Sequence, residues 1–248
     1  MAALFEAERL HKRFGDRVVL EDVSLSFPEG GLTGIMGPNG AGKTTCFNVL
    51  TGRFAPDRGR VRLAGRDVTG LPPRRMARLG VARSFQTMNL FDQVSARENV
   101  MLALPAMRAR GFRWWRDATG DPALVAEADA VLDRVGLLAR AGIVARDLSY
   151  GERRALEIAV ALAARPRILF LDEPTSGLGA DGMARLAALV ARLKGEITMV
   201  VIEHDMRFLF ALADRIAVIH WGQVIAEGTP DALRADPWVA RSALGREP

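Results

Sequence analysis

The segment Gly37-Pro-Asn-Gly-Ala-Gly-Lys-Thr-Thr45 constrains this chain more than any other. It fits the spacing G-x-x-x-x-G-K-[ST], with an apolar run over Gly31–Met36 before it and a helical pattern over Lys43–Leu50 after it. Gly37, Gly40 and Gly42 allow a backbone turn that side chains would block, so amide N–H groups can converge on one anion. The N-terminus of the following helix adds partial positive charge. Lys43 brings a point charge suited to β- and γ-phosphates, and Thr44 brings a hydroxyl suited to Mg²⁺. Pro38, Asn39, Ala41 and Thr45 complete the loop. A glycine-rich turn followed by chance by Lys-Thr shares these letters, but it has no need of a strand before and a helix after. The loop points to nucleotide binding; alone, it does not separate kinases, GTPases and transport ATPases.

The surrounding pattern predicts the matching architecture. Leu4–Leu10 and Arg17–Phe27 are short, partly alternating runs split by the turn residues Gly15 and Asp16, and Val61–Leu63 precedes a turn at Gly65. From about Ser95 to Val135 the pattern is helical, broken at Pro105 and across Gly111–Pro122. After that, helix and strand alternate. Gly151–Ala164, Ala180–Leu193 and Asp205–Leu212 read as helices; Ile168–Leu171, Ile197–Ile202, Ile216–Ile219 and Val224–Glu227 read as strands. Apolar strands alternating with helices predict a parallel sheet covered on both faces. The expected fold is α/β: a P-loop parallel-sheet core, an N-terminal antiparallel β layer and a helical insert.

Composition narrows the function. The chain has 248 residues, 49% hydrophobic and 25% charged, as a soluble globular protein has. Its formal net charge is +5, carried almost wholly by arginine, since Lys12, Lys43 and Lys194 are its only lysines. No dense basic run marks a nucleic-acid partner. The lone Cys46 excludes a disulfide framework and a cysteine metal site. Met1–Leu10 carries Glu6 and Glu8 and lacks the apolar stretch of a signal peptide. The longest apolar run, Ile158–Ala164, falls far short of the ~20 residues that span a bilayer. If the chain works at a membrane, something else must hold it there.

A second chemical motif is Arg167-Ile-Leu-Phe-Leu-Asp-Glu-Pro174, an apolar strand ending in two carboxylates. Ligands of open α/β sheets bind at such C-terminal ends. Asp172 fits a Mg²⁺-holding carboxylate. Glu173, one residue on and pointing elsewhere, can orient or deprotonate an attacking water.

Together these motifs resemble the ATP-binding cassette (ABC) ATPases. Leu148-Ser-Tyr-Gly-Glu-Arg153 is similar to that family's L-S-G-G-Q signature. Gln86 matches the Q-loop and His204 the switch histidine. Phe14 falls where an aromatic stacks on adenine, and Ser176–Gly179 where the D-loop lies. The resemblance runs over roughly Leu4–Gly245, which implies a single cassette over residues 4–245 with a helical signature subdomain near 88–163. The insert around Gly111–Val144, the run Leu148–Ile158 and the tail Asp236–Gly245 resemble the G-type ATPase of bacterial branched-chain amino acid importers. Urea or amide importers and lipopolysaccharide exporters are the alternatives within the family, and a non-transport ABC protein, which usually carries two cassettes or a long coiled-coil insert, is the alternative of another class.

The resemblance implies ATP and Mg²⁺ as cofactors and ATP hydrolysis as the activity. Phe14, the Gly37–Thr45 loop and, from a second cassette in trans, Ser149 and Gly151 would bind nucleotide. Thr44, Gln86 and Asp172 would serve the metal; Glu173, His204 and Gln86 would serve catalysis. The implied partners are transmembrane permease subunits, a second cassette (a copy or a paralogue) and, indirectly, a periplasmic solute-binding protein. The implied place is the cytoplasmic face of the inner membrane, as a peripheral subunit. Two residues depart from the pattern. Glu152 replaces the usual glutamine, with Arg153 or Arg154 as its expected partner. Gly179 stands where the D-loop usually has Asp or Asn, which bears on coupling between two sites and favours a paralogous partner. His11, His220 and Cys46 read as structural; Trp114–Trp115, between Arg113 and Arg116, reads as a surface turn of the insert, with a contact to lipid headgroups or a membrane partner as the alternative.

Overall fold

The structure, a computed structural model, describes residues 3–84, 89–110 and 120–236. Among them the first sheet contains β1 (Ala3–Phe14), β2 (Arg17–Pro28), β4 (Arg58–Leu63) and β5 (Arg66–Asp67), all antiparallel in the order β2-β1-β4-β5. The second contains β3 (Leu32–Met36), β6 (Val81–Arg83), β7 (Ile168–Asp172), β8 (Thr198–Ile202), β9 (Arg215–His220) and β10 (Gln223–Gly228). Its order is β10-β9-β3-β8-β7-β6, parallel except where β10 returns along β9.

Every residue of β3, β7 and β8 is buried, because both faces of the second sheet are covered. The two-residue period of a strand sorts its side chains between two cores. Ile168 and Phe170 of β7, Val200 and Ile202 of β8, and Ala217 and Ile219 of β9 face the antiparallel sheet and α1 (Lys43–Leu50). Leu169, Leu171, Met199, Val201, Ile216 and Val218 face the other core, which the helices fill. Those helices include α3 (Ala96–Ala103), α5 (Pro122–Arg134), α6 (Tyr150–Ala163), α7 (Ala180–Leu193) and α8 (Met206–Leu212). The smaller helices are α2 (Pro73–Arg78), α4 (Pro105–Arg110) and α9 (Pro230–Ala235). The expected α/β architecture, with its antiparallel layer and mid-chain helices, is therefore present.

Some elements differ from expectation. Strand β1 continues to Phe14, past the expected end at Leu10, through register shifts where Arg9 takes a positive φ. Helix α2, the two-residue β5 and the three-residue β6 were not expected, because segments this short leave no periodicity to read. Asp205 was expected inside a helix; it is instead the N-cap of α8, accepting from the N–H groups of Arg207 and Phe208.

Phe170 joins the sheet to the first core. Its ring lies 5.5 Å from those of Phe5 and Phe47 and 6.2 Å from that of Phe27, all edge-on. It is fully buried. We predict that Phe170→Ala lowers stability by about 3–5 kcal/mol, measured by denaturant unfolding.

Candidate functional site

The loop after β3 is held from below. The Gly222 N–H donates to the Ala41 carbonyl at 2.9 Å, and the Ala41 N–H to the Pro38 carbonyl at 3.2 Å. Gly37 has φ 150°, and a Cβ there would overlap the Ile219 carbonyl oxygen. Gly42 has φ 101°, and a Cβ there would come within 2.7 Å of the Val19 carbonyl oxygen. Both positions therefore exclude other residues on steric grounds. Gly40 has φ 79° and open space beside it.

Helix α1 starts without a side-chain cap, whereas Ser95, Asp121, Ser149, Asp205 and Thr229 cap α3, α5, α6, α8 and α9. An uncapped N-terminus offers its N–H groups and dipole to an anion. Lys43, in the first turn, is 6% exposed; its Nζ donates to the Gly37 and Pro38 carbonyls at 2.6 and 2.9 Å. Burial lowers its pKa, against the opposing pull of Glu173 and Asp172. Thr44 is exposed and Thr45 half-buried beside it.

Asp172 ends β7 and is 2% exposed. Burial raises its pKa; the Arg83 guanidinium opposes this, and the charge of Glu173 adds to it. Arg83 Nη2 lies 3.5 Å from Asp172 Oδ2, its Nη1 donates to Asn48 Oδ1 at 2.7 Å, and its guanidinium stacks on Phe47 at 4.7 Å. Ser84 Oγ accepts from the Asp172 N–H at 3.4 Å. Glu173 then takes φ 45°, a left-handed conformation uncommon for a residue with a Cβ. This turn swings the second carboxylate away from the first.

Strand β8 brings the next groups to the same edge. His204 Nδ1 lies 3.8 Å from Glu173 Oε1 and 4.0 Å from Glu203 Oε2. The His204 ring is exposed, whereas Glu203 is fully buried. Glu203 accepts from the Thr175 N–H and hydroxyl at 2.8 and 2.6 Å, and from the His204 and Asp205 N–H groups at 3.1 and 3.4 Å. One carboxylate thus ties the loop after β7 to the loop after β8.

Ser149 and Gly151 stand at the start of α6. Ser149 Oγ accepts from the Glu152 N–H, and Glu152 Oε2 accepts from the Ser149 N–H at 2.8 Å, a reciprocal capping box. Glu152 pairs with Arg140 at 3.0 Å, which corrects the expected pairing with Arg153 or Arg154. Arg153 instead reaches Asp92 at 2.7 Å, and Arg154 reaches Glu157 at 2.6 Å. The Tyr150 hydroxyl donates to the Ser176 carbonyl at 2.9 Å, with its ring against Gly177.

The sheet edge thus brings together Lys43, Asp172, Glu173 and His204. Among the described residues, no hydrogen bond joins Ser149 or Gly151 to the Gly37–Thr45 loop. Phe14 is 45% exposed at the end of β1, with its ring edge-on to Phe54 at 5.2 Å. Gln86, Trp114, Trp115 and nearly all of the tail Asp236–Gly245 lie outside the described residues. Gly179 is the uncapped N-cap of α7, and Asp181 lies in that helix's first turn. Cys46 is fully buried. The site also contains Arg83, Ser84, Arg154 and Glu203, which sequence reasoning missed. Only Glu203 carried a signal: a carboxylate beside His204, at the end of an apolar run.

Lys43→Ala removes the buried cation and should abolish nucleotide binding in a fluorescence titration; unchanged affinity would contradict the phosphate-loop assignment. Glu152→Ala leaves the Ser149 cap on the residue-152 N–H in place but removes the carboxylate that accepts from the Ser149 N–H, and should cost about 1 kcal/mol, since its half-exposed pairing with Arg140 contributes little. Hydrogen bonding from the Ser149 N–H holds the Glu152 pKa below its ordinary value. Its contribution is therefore complete above the ordinary glutamate range and disappears as pH falls through the depressed value. Thermal melts of Glu152→Gln, which keeps an oxygen acceptor, should show a weaker acid dependence than the native chain.

Comparison with known proteins gives this geometry its family. The ABC transporter profile matches residues 20–176. The chain is 39% identical, over 98% of both chains, to the high-affinity branched-chain amino acid transport ATP-binding protein BraF of Pseudomonas aeruginosa. It is 38% identical, over 98% of both chains, to the corresponding protein LivG of Salmonella typhimurium. The ADP conformation of an ATP-binding cassette of an ABC transporter superposes with a TM-score of 0.86 at 28% identity, covering 99% of this chain and 100% of that one. The match spans the loop after β3, the start of α6 and the acidic end of β7, and on this ground the chain belongs to the ABC transporter family.

Proposed function

We propose that this chain is the ATP-hydrolysing subunit of a bacterial importer for branched-chain or related amino acids, acting through separate permease subunits. The observation that carries the reading is end-to-end similarity to two ATP-binding proteins of branched-chain amino acid transport. Residues 4–245 form one cassette in this reading, with a helical signature subdomain near 88–163.

The residues fit a magnesium nucleotide. The uncapped end of α1 and the open side of Gly40 suit a triphosphate. Lys43 would exchange its carbonyl partners for β- and γ-phosphate oxygens. Phe14 would stack on adenine. Thr44 and Asp172 are hard oxygen donors, as Mg²⁺ requires, and Gln86 would complete their set. When bound, Mg²⁺ would offset charge on the phosphates. Glu173 would orient the attacking water and draw off its proton, while His204, beside it, would donate to the γ-phosphate. Ser149 and the N–H groups at Gly151 would contact the γ-phosphate bound by a second cassette, so one chain alone would have an incomplete site.

Among the described residues no helix is long and apolar enough to cross a membrane. As the ATP-hydrolysing subunit of such an importer, the chain would sit at the cytoplasmic face of the inner membrane, held by the permease. A periplasmic solute-binding protein would deliver the amino acid from the other side.

ATP turnover measured across protein concentrations tests this reading, with Glu173→Gln as control. Specific activity should rise with concentration as the cassettes pair. Glu173→Gln should keep ATP binding, lose on the order of 10²-fold or more in turnover and accumulate as an ATP-bound dimer in light scattering. A Glu173→Gln chain that turns over normally, or stays monomeric with ATP, would sink the assignment.

A further inference from the structure

We infer that Arg154, on the signature helix α6, is a positioning residue that sets the backbone of Glu173. The inference rests on the proposed role of Glu173 in hydrolysis. Arg154 is 4% exposed and is held in place by Glu157, one turn further along α6, at 2.6 Å. Its Nη2 donates to the carbonyls of Asp172 and Glu173 at 3.0 and 3.1 Å, and its Nε to the carbonyl of Pro174 at 3.2 Å. One planar guanidinium therefore spans three successive carbonyls of the acidic turn.

The turn needs such a partner. Strand β7 ends at Asp172, and the positive φ of Glu173 rotates the following carbonyls out of sheet register. A strained conformation persists only where its surroundings enforce it. The rigid fork of an arginine can enforce three carbonyl positions at once; the single ammonium of a lysine cannot. The carboxylate on this turn lies 3.8 Å from the His204 ring. The helix that provides the clamp also carries Ser149 at its N-cap. Displacement of α6 would thus be transmitted through Arg154 to the position of the Glu173 carboxylate.

Arg154→Lys and Glu157→Gln in the full chain, assayed beside Glu173→Gln, test the inference. Arg154→Lys should lower kcat roughly 100-fold, as expected for a misplaced reacting group. Its ATP affinity and KM should stay within about twofold of the native chain. Glu157→Gln keeps an oxygen for Nη1 and should show a smaller loss, also confined to kcat. An Arg154→Lys chain with native kcat overturns the inference, as does a parallel loss of kcat and ATP affinity, which marks a general structural role. If Arg154→Lys does not fold, Glu157→Gln is judged by the same two outcomes. Native turnover in Glu173→Gln removes the premise; an inactive Glu173→Gln beside a fully active Arg154→Lys removes this inference alone.

Discussion

At the end of β7, burial and charge meet. Strand pairing on both sides and apolar cores on both faces carry Asp172 into a nearly dry environment. A carboxylate there resists ionisation, and a second one follows at once in a left-handed turn. Each polar group at that point needs a partner, because water cannot serve it. Three long side chains from three other elements meet the need. Arg83 approaches from β6, Arg154 from α6, and Glu203 from the end of β8. The local requirement of one strand end thereby ties together segments far apart in sequence.

The same logic explains the Gly37–Thr45 loop. Its glycines leave the backbone room to curl, but the curl is kept by Val19, Ile219 and Gly222 pressing from neighbouring segments. Lys43 rests on carbonyls of its own loop, so its charge stays internal to the site. Among the described residues, five helices close their first turn with Ser, Asp or Thr, whereas α1 and α7 open on glycine and α2 on Pro72 without a side-chain cap. What sets α1 apart is the glycine loop that leads into it, whose open side at Gly40 leaves the first N–H groups available to an anion.

Much of this was legible in the residues. Alternating apolar runs announced the second sheet, and Gly37–Thr45 and Asp172–Glu173 were marked as the proposed site by their short, fixed spacings. The capping box is visible as Ser149 followed three residues later by Glu152. Arg83, Arg154 and Glu203 were not legible in the same way. Arg83 sits on a strand too short to show a period, and Arg154 is one arginine among many in an arginine-rich chain. The partner of Glu152 was misjudged because sequence proximity favoured Arg153 and Arg154. In the fold, Asp92 and Glu157 engage those residues, and Arg140, at the end of a short 3-10 helix over Leu138–Arg140, reaches Glu152.

The sequence alone marked the segments proposed for phosphate chemistry, since glycine spacing and strand-end carboxylates act through local backbone geometry. It also determined which runs must be buried, since two-residue and helical periods follow from the chain itself. Only the tertiary structure decided which charges meet. Partner choice among many arginines and carboxylates depends on distances between segments separated by up to dozens of residues, and no local pattern encodes them. The left-handed turn at Glu173, held by carbonyl contacts from α6, is the clearest case: its conformation is set by a helix that the acidic motif does not contain.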